Sequence, residues 1–287
     1  MSQAGGAALA AAYAEAERLA RAHYENFPVA SRLLPAALRR HVAAVYAFAR
    51  IADDFADEPG RAPADRLARL DEWARGLHGD ASVHPVFLAV ADTRARFDLT
   101  TDLFDDLLSA FRQDVTTGRY ETWPDLLDYC RRSANPVGRL VLRLHGYRDE
   151  ALDRASDAVC TALQLVNFWQ DLAIDWSRGR LYVPEQTWRA AGADPTDLDG
   201  GRWTPAWRAA LADAGARTRE LLARGRPVCD GVAGRLRYEL RATWLGGSRI
   251  LDRLERSGYD VFTARPALAA TDALVIAFRT VTWRRSR

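Results

Sequence analysis

Hydrophobic residues recur at helical spacing along most of the chain. At about 100° per residue they line one face of each segment, and no segment shows sustained two-residue alternation enriched in β-branched residues. The predicted helices are roughly 7–23, 36–57, 63–78, 84–97, 101–116, 123–146, 149–175, 184–190, 205–224, 228–256 and 266–283. The connections between them are short and rich in Gly, Pro and Asp, as helix ends require. We predict an all-α protein, a single domain over residues 1–287 that packs around a central cavity.

The stretch 159–175 of the predicted helix over 149–175 carries a narrow polar stripe on an otherwise apolar surface. The stripe consists of Gln164, Asn167, Asp171 and Asp175, which fall within roughly 80° of one another. A surface helix shows the opposite ratio of apolar to polar area, so this helix is predicted to be buried with its stripe turned inward. Carboxylates that are desolvated without a partner are strongly destabilising. The two aspartates must therefore face a cation, or a cavity that admits one.

The stretch 41–57 of a second predicted helix, over 36–57, has the same pattern. Its stripe consists of Tyr46, Arg50, Asp53 and Asp57, at spacings of four, three and four. Because side chains at i and i+4 have β-carbons about 6 Å apart, each aspartate pair can hold one or two hard cations. Mg²⁺ fits best, since it takes one or two carboxylates together with substrate phosphates. Two such pairs facing each other would frame a diphosphate.

Composition narrows the class of protein. The 287 residues are 48% hydrophobic and 27% charged with a net charge of +2, which favours a soluble globular domain and gives no reason to expect a nucleic-acid partner. All 40 basic residues are Arg, so Schiff-base and P-loop lysines are excluded. The cysteines lack metal-site spacing, and neither a signal peptide nor a membrane-spanning run is present. We expect a cytoplasmic protein.

Other polar residues are weaker candidates. Tyr129 lies in a helical pattern that a proline breaks, and the bend either shapes an apolar channel or only curves the helix around the core. Arg180 and Tyr182 follow the second acidic helix and could reach a diphosphate, although a loop arginine is more often solvated. Tyr238 lies on the predicted helix over 228–256 and carries the least support.

From about residue 20 to residue 260 the chain resembles the squalene and phytoene synthase family. The motifs that carry the resemblance are Arg50-Ile-Ala-Asp53-Asp54-Phe-Ala-Asp57, Gln164-Leu-Val-Asn167-Phe-Trp-Gln-Asp171-Leu-Ala-Ile-Asp175 and Gly179-Arg180-Leu-Tyr182-Val-Pro184. The resemblance implies the all-α isoprenoid synthase fold, with the four aspartates as Mg²⁺–diphosphate ligands and with Gln164 and Asn167 beside them on the helix. It also implies roles for Arg50 and Tyr129 at the diphosphate and at the reacting cation.

Within the family the chain is most similar to the hopanoid-associated branch, the hydroxysqualene synthases. The segments 25–31, 133–138 and 167–171 carry this likeness. Ile174 stands where squalene and phytoene synthases usually have an acidic residue, and Asn26-Phe27-Pro28 replaces their Ser-rich segment. These departures weaken the expectation that the chain couples two prenyl diphosphates.

The resemblance implies ionisation of presqualene diphosphate, with Mg²⁺ on the four aspartates as Lewis acid and with water capturing the rearranged cation to give hydroxysqualene and diphosphate. Aromatic side chains would stabilise the cation through their π faces. The candidates are Phe27, Tyr46, Phe48, Phe168 and Trp169, with Asn26 as a further substrate contact. Gln164, Asn167 or Tyr129 would orient the water. On this interpretation no redox cofactor is needed.

Two other functions stay open. The chain could condense two farnesyl or geranylgeranyl diphosphates, as presqualene diphosphate, squalene and phytoene synthases do. It could also be a non-catalytic assembly or binding member of the family, although a binding scaffold has no need to keep four inward carboxylates.

The long prenyl arms of the implied substrate indicate that it arrives from a membrane or from a neighbouring pathway enzyme. We therefore expect peripheral contact at the inner face of the membrane. Two regions are candidates for this contact, an Arg-rich rim and the segment Trp283-Arg284-Arg285, because Arg stems and Trp rings suit the lipid interface.

Overall fold

The protein is described by a computed structural model for residues 3–22, 35–79 and 84–283. These residues form the helices α1 (Gln3–Ala22), α2 (Ala36–Asp57), α3 (Pro63–His78), α4 (Pro85–Phe97), α5 (Asp102–Thr116), α6 (Trp123–Ser133), α7 (Asn135–Leu144), α8 (Glu150–Ser177), α9 (Glu185–Ala190), α10 (Thr196–Asp199), α11 (Pro205–Gly225), α12 (Val228–Gly231), α13 (Gly234–Arg256) and α14 (Ala270–Val281). Within the described ranges, extended pairing is limited to one isolated bridge between Arg119 and Leu181. The all-α prediction is confirmed.

Two predicted helices are each divided in the structure. The pattern over 123–146 forms α6 and α7 with a turn at Ala134, next to Pro136, which has no N–H to continue the α6 ladder. The pattern over 228–256 forms α12 and α13, and α13 begins at Gly234 with a φ of +61°. Hydrophobic periodicity runs through both breaks, so it did not reveal them.

The helices form two compact units. Unit 1 comprises Met1–Thr116 and Pro136–Arg148, and unit 2 comprises Thr117–Asn135 and Asp149–Arg287. The two acidic stripes therefore lie in different units, α2 in the first and α8 in the second. The single-domain organisation stays a prediction.

In unit 1, α2 packs against α1, α3, α4 and α5. Phe48, on the side of α2 away from the acidic stripe, is fully buried. Its ring lies 5.9 Å from that of Trp73, 6.3 Å from that of Phe87 and 5.2 Å from that of Phe104. This aromatic cluster fixes the rotation of α2 about its axis, and so it fixes the direction in which the acidic stripe points.

A buried polar network joins α1, α2 and α4 in the same unit. The Tyr13 hydroxyl lies 3.0 Å from His41 Nδ1, donates to Asp92 Oδ2 at 2.7 Å and lies 3.0 Å from Thr93 Oγ1. Desolvation by burial, aided by the neighbouring Arg40 charge, lowers the pKa of His41 to about 4. At neutral pH the folded chain therefore holds this imidazole in its neutral form.

In unit 2, α8 packs against α6, α11, α12 and α13. The indole N–H of Trp169, which is fully buried, donates to Thr218 Oγ1 on α11 at 2.8 Å. Gly225 and Gly247 sit so close to α8 that a β-carbon at either position would collide with Val159 or Leu163. The apolar flanks of α8 are thus covered by its neighbours at short range.

The state of His41 makes stability depend on pH. Between pH 6.5 and pH 4 the unfolded chain binds a proton at this residue that the folded chain does not, so the free energy of unfolding falls as the pH drops through that window. The contribution between pH 7 and pH 5 is about 2 kcal/mol. His41→Gln, which cannot titrate, is predicted to lose less stability than the wild type between pH 7 and pH 5 in urea unfolding. An equal loss in both proteins would contradict the assignment.

Candidate active site

The stripe of α2 lies on one face of an unbroken helix, as the spacing predicts. Arg50 donates from Nη2 to Asp54 Oδ1 at 2.6 Å, and its Nη1 lies 3.5 Å from Asp53 Oδ2. Tyr46 and Asp53 are half-buried and Asp57 is exposed. The sequence interpretation gave no role to Asp54, which here shares the guanidinium of Arg50 with Asp53.

Arg50 retains one unused donor. Its Nε is buried and has no hydrogen-bond partner, although its two Nη atoms are paired. A buried N–H without an acceptor costs roughly 1–3 kcal/mol. An anionic oxygen from a ligand would accept a hydrogen bond from this N–H. The unpartnered Nε therefore favours an anion-binding role for Arg50.

The stripe of α8 is also on one face. Gln164, Asn167, Asp171 and Asp175 are all half-buried. The Asp171 side chain is only 17% exposed, and its Oδ1 accepts a hydrogen bond from Arg265 Nε. That bond holds the pKa of Arg265 above its usual value.

The partner of Asp171 comes from a distant part of the chain. Next to Arg265, the backbone carbonyl of Pro266 accepts a hydrogen bond from the Gln170 amide, so two consecutive residues are tied to α8. No periodicity or motif marked Arg265 as a candidate, because it lies in a loop 94 residues after Asp171. It is the main site residue that sequence reasoning missed.

An aromatic cluster lies beside the α8 stripe. The Phe168 and Tyr182 rings stack with centroids 3.7 Å apart and planes 5° apart. Tyr129 lies 6.1 Å from Phe168 and 6.2 Å from Tyr182, and Tyr120 stacks on Tyr182 at 5.8 Å. Three of these rings were sequence candidates, and the structure brings them together. Tyr120 is an addition.

Backbone hydrogen bonds place Tyr182 in this cluster. After α8, Gly179 adopts a φ of +78°, which reverses the chain. Leu181 N then donates to the Gly118 carbonyl at 2.8 Å. A β-carbon on Gly118 would lie 3.0 Å from the Gly179 carbonyl oxygen, so this close crossing favours a glycine.

The remaining candidates divide into four groups. Arg180 is half-buried just after α8. Phe48 and Trp169, proposed as cation-stabilising rings, are fully buried on the sides of α2 and α8 away from the acidic stripes. Tyr238 is exposed on α13. Asn26 and Phe27 lie outside the described residues.

The donor set fits Mg²⁺ in kind. Each stripe offers two carboxylates one turn apart, and α8 adds the amide oxygens of Gln164 and Asn167, all of them hard oxygen ligands. Within the described ranges, no three His, Cys, Asp or Glu side chains come together in a group that could hold a metal. The Mg²⁺ site stays a prediction that rests on the two pairs.

Comparisons with known proteins agree with these motifs. A family model described as squalene/phytoene synthase matches residues 20–272. Hydroxysqualene synthase of Zymomonas mobilis is 40% identical over 203 residues, covering 70% of this chain and 68% of that protein. Hydroxysqualene synthase of Rhodopseudomonas palustris is 36% identical over 233 residues, covering 80% of each chain.

A solved structure confirms the fold. The crystal structure of squalene synthase HpnC from Alicyclobacillus acidocaldarius is 40% identical in sequence and superposes with a TM-score of 0.81, covering 88% of this chain and 95% of that one. The all-α isoprenoid synthase fold that the resemblance implies is therefore correct.

Proposed function

The chain belongs to the squalene/phytoene synthase family, and we propose that it is a hydroxysqualene synthase. The proposed reaction is Mg²⁺-dependent ionisation of presqualene diphosphate followed by capture of the rearranged cation by water. The observation that carries the proposal is that both carboxylate pairs are intact on helix faces of a chain 36–40% identical to proteins named hydroxysqualene synthase.

Asp53, Asp57, Asp171 and Asp175 are the residues that would hold Mg²⁺. When bound, Mg²⁺ supplies positive charge that stabilises the departing diphosphate. Arg50 would add a charge-assisted hydrogen bond to the diphosphate from its unpartnered Nε, as guanidinium groups do with phosphate oxygens.

The aromatic cluster of Tyr120, Tyr129, Phe168 and Tyr182 supports the second half of the proposal. Ring faces stabilise a carbocation electrostatically without reacting with it. Cleavage of the carbon–oxygen bond leaves its electron pair on diphosphate. A lone pair of water then forms the new carbon–oxygen bond, and one proton is released. Asn167 and Gln164, half-buried one turn apart beside this cluster, are suited to orient that water.

A second candidate function is condensation of two prenyl diphosphates. It is favoured by the 40% identity of this chain to a solved structure named squalene synthase. Both functions use the same carboxylates, so the substrate consumed distinguishes them. A non-catalytic role has no comparable support, because every predicted metal ligand is present.

The proposal is tested by incubating the purified protein with Mg²⁺ and presqualene diphosphate, and separately with Mg²⁺ and farnesyl diphosphate. Both incubations are done without NADPH, and the extracted lipids are identified by mass spectrometry. Hydroxysqualene is expected from the first substrate alone. Asp53→Asn and Asp171→Asn are predicted to reduce its formation by about a hundredfold or more, because charge stabilisation of the leaving group is lost. Asp98→Asn, at an exposed position far along the chain from both motifs, is the matched control.

The outcomes separate the candidates. Consumption of farnesyl diphosphate would move the chain to the condensing enzymes. If folded protein consumes neither substrate, a non-catalytic role becomes the better account.

The ion pair between Arg265 and Asp171 predicts competition with the metal. Arg265→Gln removes the guanidinium that Mg²⁺ must displace, so the Mg²⁺ concentration for half-maximal diphosphate release should fall about 2–5-fold, the range for a partly exposed pair. Arg256→Gln, an exposed arginine at the end of α13, should leave it unchanged. An unchanged or higher requirement in Arg265→Gln would refute the competition, whatever the effect on maximal rate.

A further inference from the structure

The last described helix concentrates the exposed hydrophobic surface. Seven large hydrophobic side chains are exposed in the described part of the chain, and four of them lie between residues 268 and 281. Leu274 is 75% exposed, Phe278 68% and Val281 73%. Single exposed hydrophobic residues are ordinary, but a contiguous set marks an interaction surface.

These residues occupy one face of α14. With Ala270, Ala273 and Ala277, they follow spacings of three and four along the helix, and all six positions are exposed. Residues at such spacings form a single stripe. We call this stripe, residues 270, 273, 274, 277, 278 and 281, the α14 apolar face.

The polar side of α14 is turned toward the protein. Asp272 is only 1% exposed; it accepts hydrogen bonds at 2.7 Å from both Arg249 Nε and the Ala269 backbone N–H, and it pairs with Arg253. The Ala269 and Arg249 bonds hold the pKa of Asp272 below its usual value. A surface helix normally buries its apolar stripe, whereas α14 buries its carboxylate and exposes the apolar stripe.

A second contact fixes the other end of the helix. Just beyond α14, the Trp283 indole N–H donates to Asp230 Oδ1 at 3.1 Å, and the Arg226 guanidinium lies 4.4 Å from the Trp283 ring centroid. Trp244 packs edge-on against the same ring at 5.5 Å. The helix therefore cannot roll to bury its apolar face without breaking both polar anchors.

Apart from the buried Asp272, every charged residue from position 270 to position 287 of the sequence is an arginine. Arg279 is exposed on α14, and three more arginines follow Trp283 in the sequence. Apolar residues flanked by arginine suit a surface that combines hydrocarbon with negative charge.

We propose that the α14 apolar face docks the protein on an anionic lipid bilayer. Twelve residues give a helix of about 18 Å, which suits a position in the plane of the interface. No helix in the described ranges is long and apolar enough to cross a membrane. Trp283, which the sequence suggested as a lipid contact, anchors the end of α14 through Asp230 and Arg226. This docking proposal depends on the proposed function only for the reason why the protein would bind a membrane, which is that a substrate with two prenyl arms resides in lipid.

Flotation of the purified full chain with vesicles tests this surface. Binding is expected on phosphatidylcholine vesicles that contain phosphatidylglycerol, and much less on phosphatidylcholine alone. The variant Leu274→Gln/Phe278→Gln should weaken binding at least about tenfold, because two side chains that would enter the lipid become polar. Arg279→Gln should weaken it to a smaller extent and reduce its dependence on salt.

The matched control is Leu88→Gln, since Leu88 is 52% exposed on α4 and its loss should leave vesicle binding unchanged. Circular dichroism and turnover of detergent-dispersed substrate should be retained in all variants, so a failure of docking is distinguishable from a failure of the proposed function. The proposal would be overturned if the wild-type protein does not bind anionic vesicles. It would also be overturned if the protein binds no lipid but forms a dimer that Leu274→Gln/Phe278→Gln abolishes.

Discussion

Carboxylates placed on apolar helices must be matched by positive charge, and the described structure follows from this constraint. Arg50 pairs with Asp53 and Asp54 on α2, Arg265 pairs with Asp171 on α8, and two arginines hold Asp272 under α14. Arginine is the only basic residue of the chain apart from its histidines, and its planar fork pairs with carboxylates more specifically than a lysine ammonium does. Where the carboxylate itself is partly exposed, as at Asp171, we propose that it is available to a metal. Where the carboxylate is buried, as at Asp272, the pair is a structural anchor.

The helical period was sufficient to predict the fold class and the faces of α2 and α8. The helical period also indicates which aromatic rings lie near the acidic stripes. Around the α8 axis, Phe168 lies about 60° from Asp171 and Trp169 about 160° from it. The same count places Phe48 on the far side of α2 from Asp53. Helical geometry alone would thus have separated the ring that joins the aromatic cluster from the two rings that are buried in the cores.

Other features depend on contacts between distant residues, which periodicity does not encode. Arg265 lies in a loop, and only the fold brings it to Asp171. The predicted helix near the end of the chain has an ordinary apolar stripe, which would normally indicate a face turned to the core. The orientation of α14 is reversed because Asp272 forms ion pairs with Arg249 and Arg253 on α13, and because the Trp283 ring contacts the Arg226 guanidinium. Strong polar anchors here outweigh the burial of a few apolar side chains.

The proposed function depends most directly on the binding of Mg²⁺ and diphosphate by the aspartates of each stripe. Thermal unfolding in the presence of inorganic diphosphate, with and without Mg²⁺, tests it without any turnover, because a ligand that binds only the folded state raises the unfolding temperature. We expect Mg²⁺ and diphosphate together to raise the Tm well beyond either alone, and we expect both Asp53→Asn and Asp171→Asn to remove that gain. A gain that persists in either variant, or that diphosphate produces equally without Mg²⁺, would contradict the account.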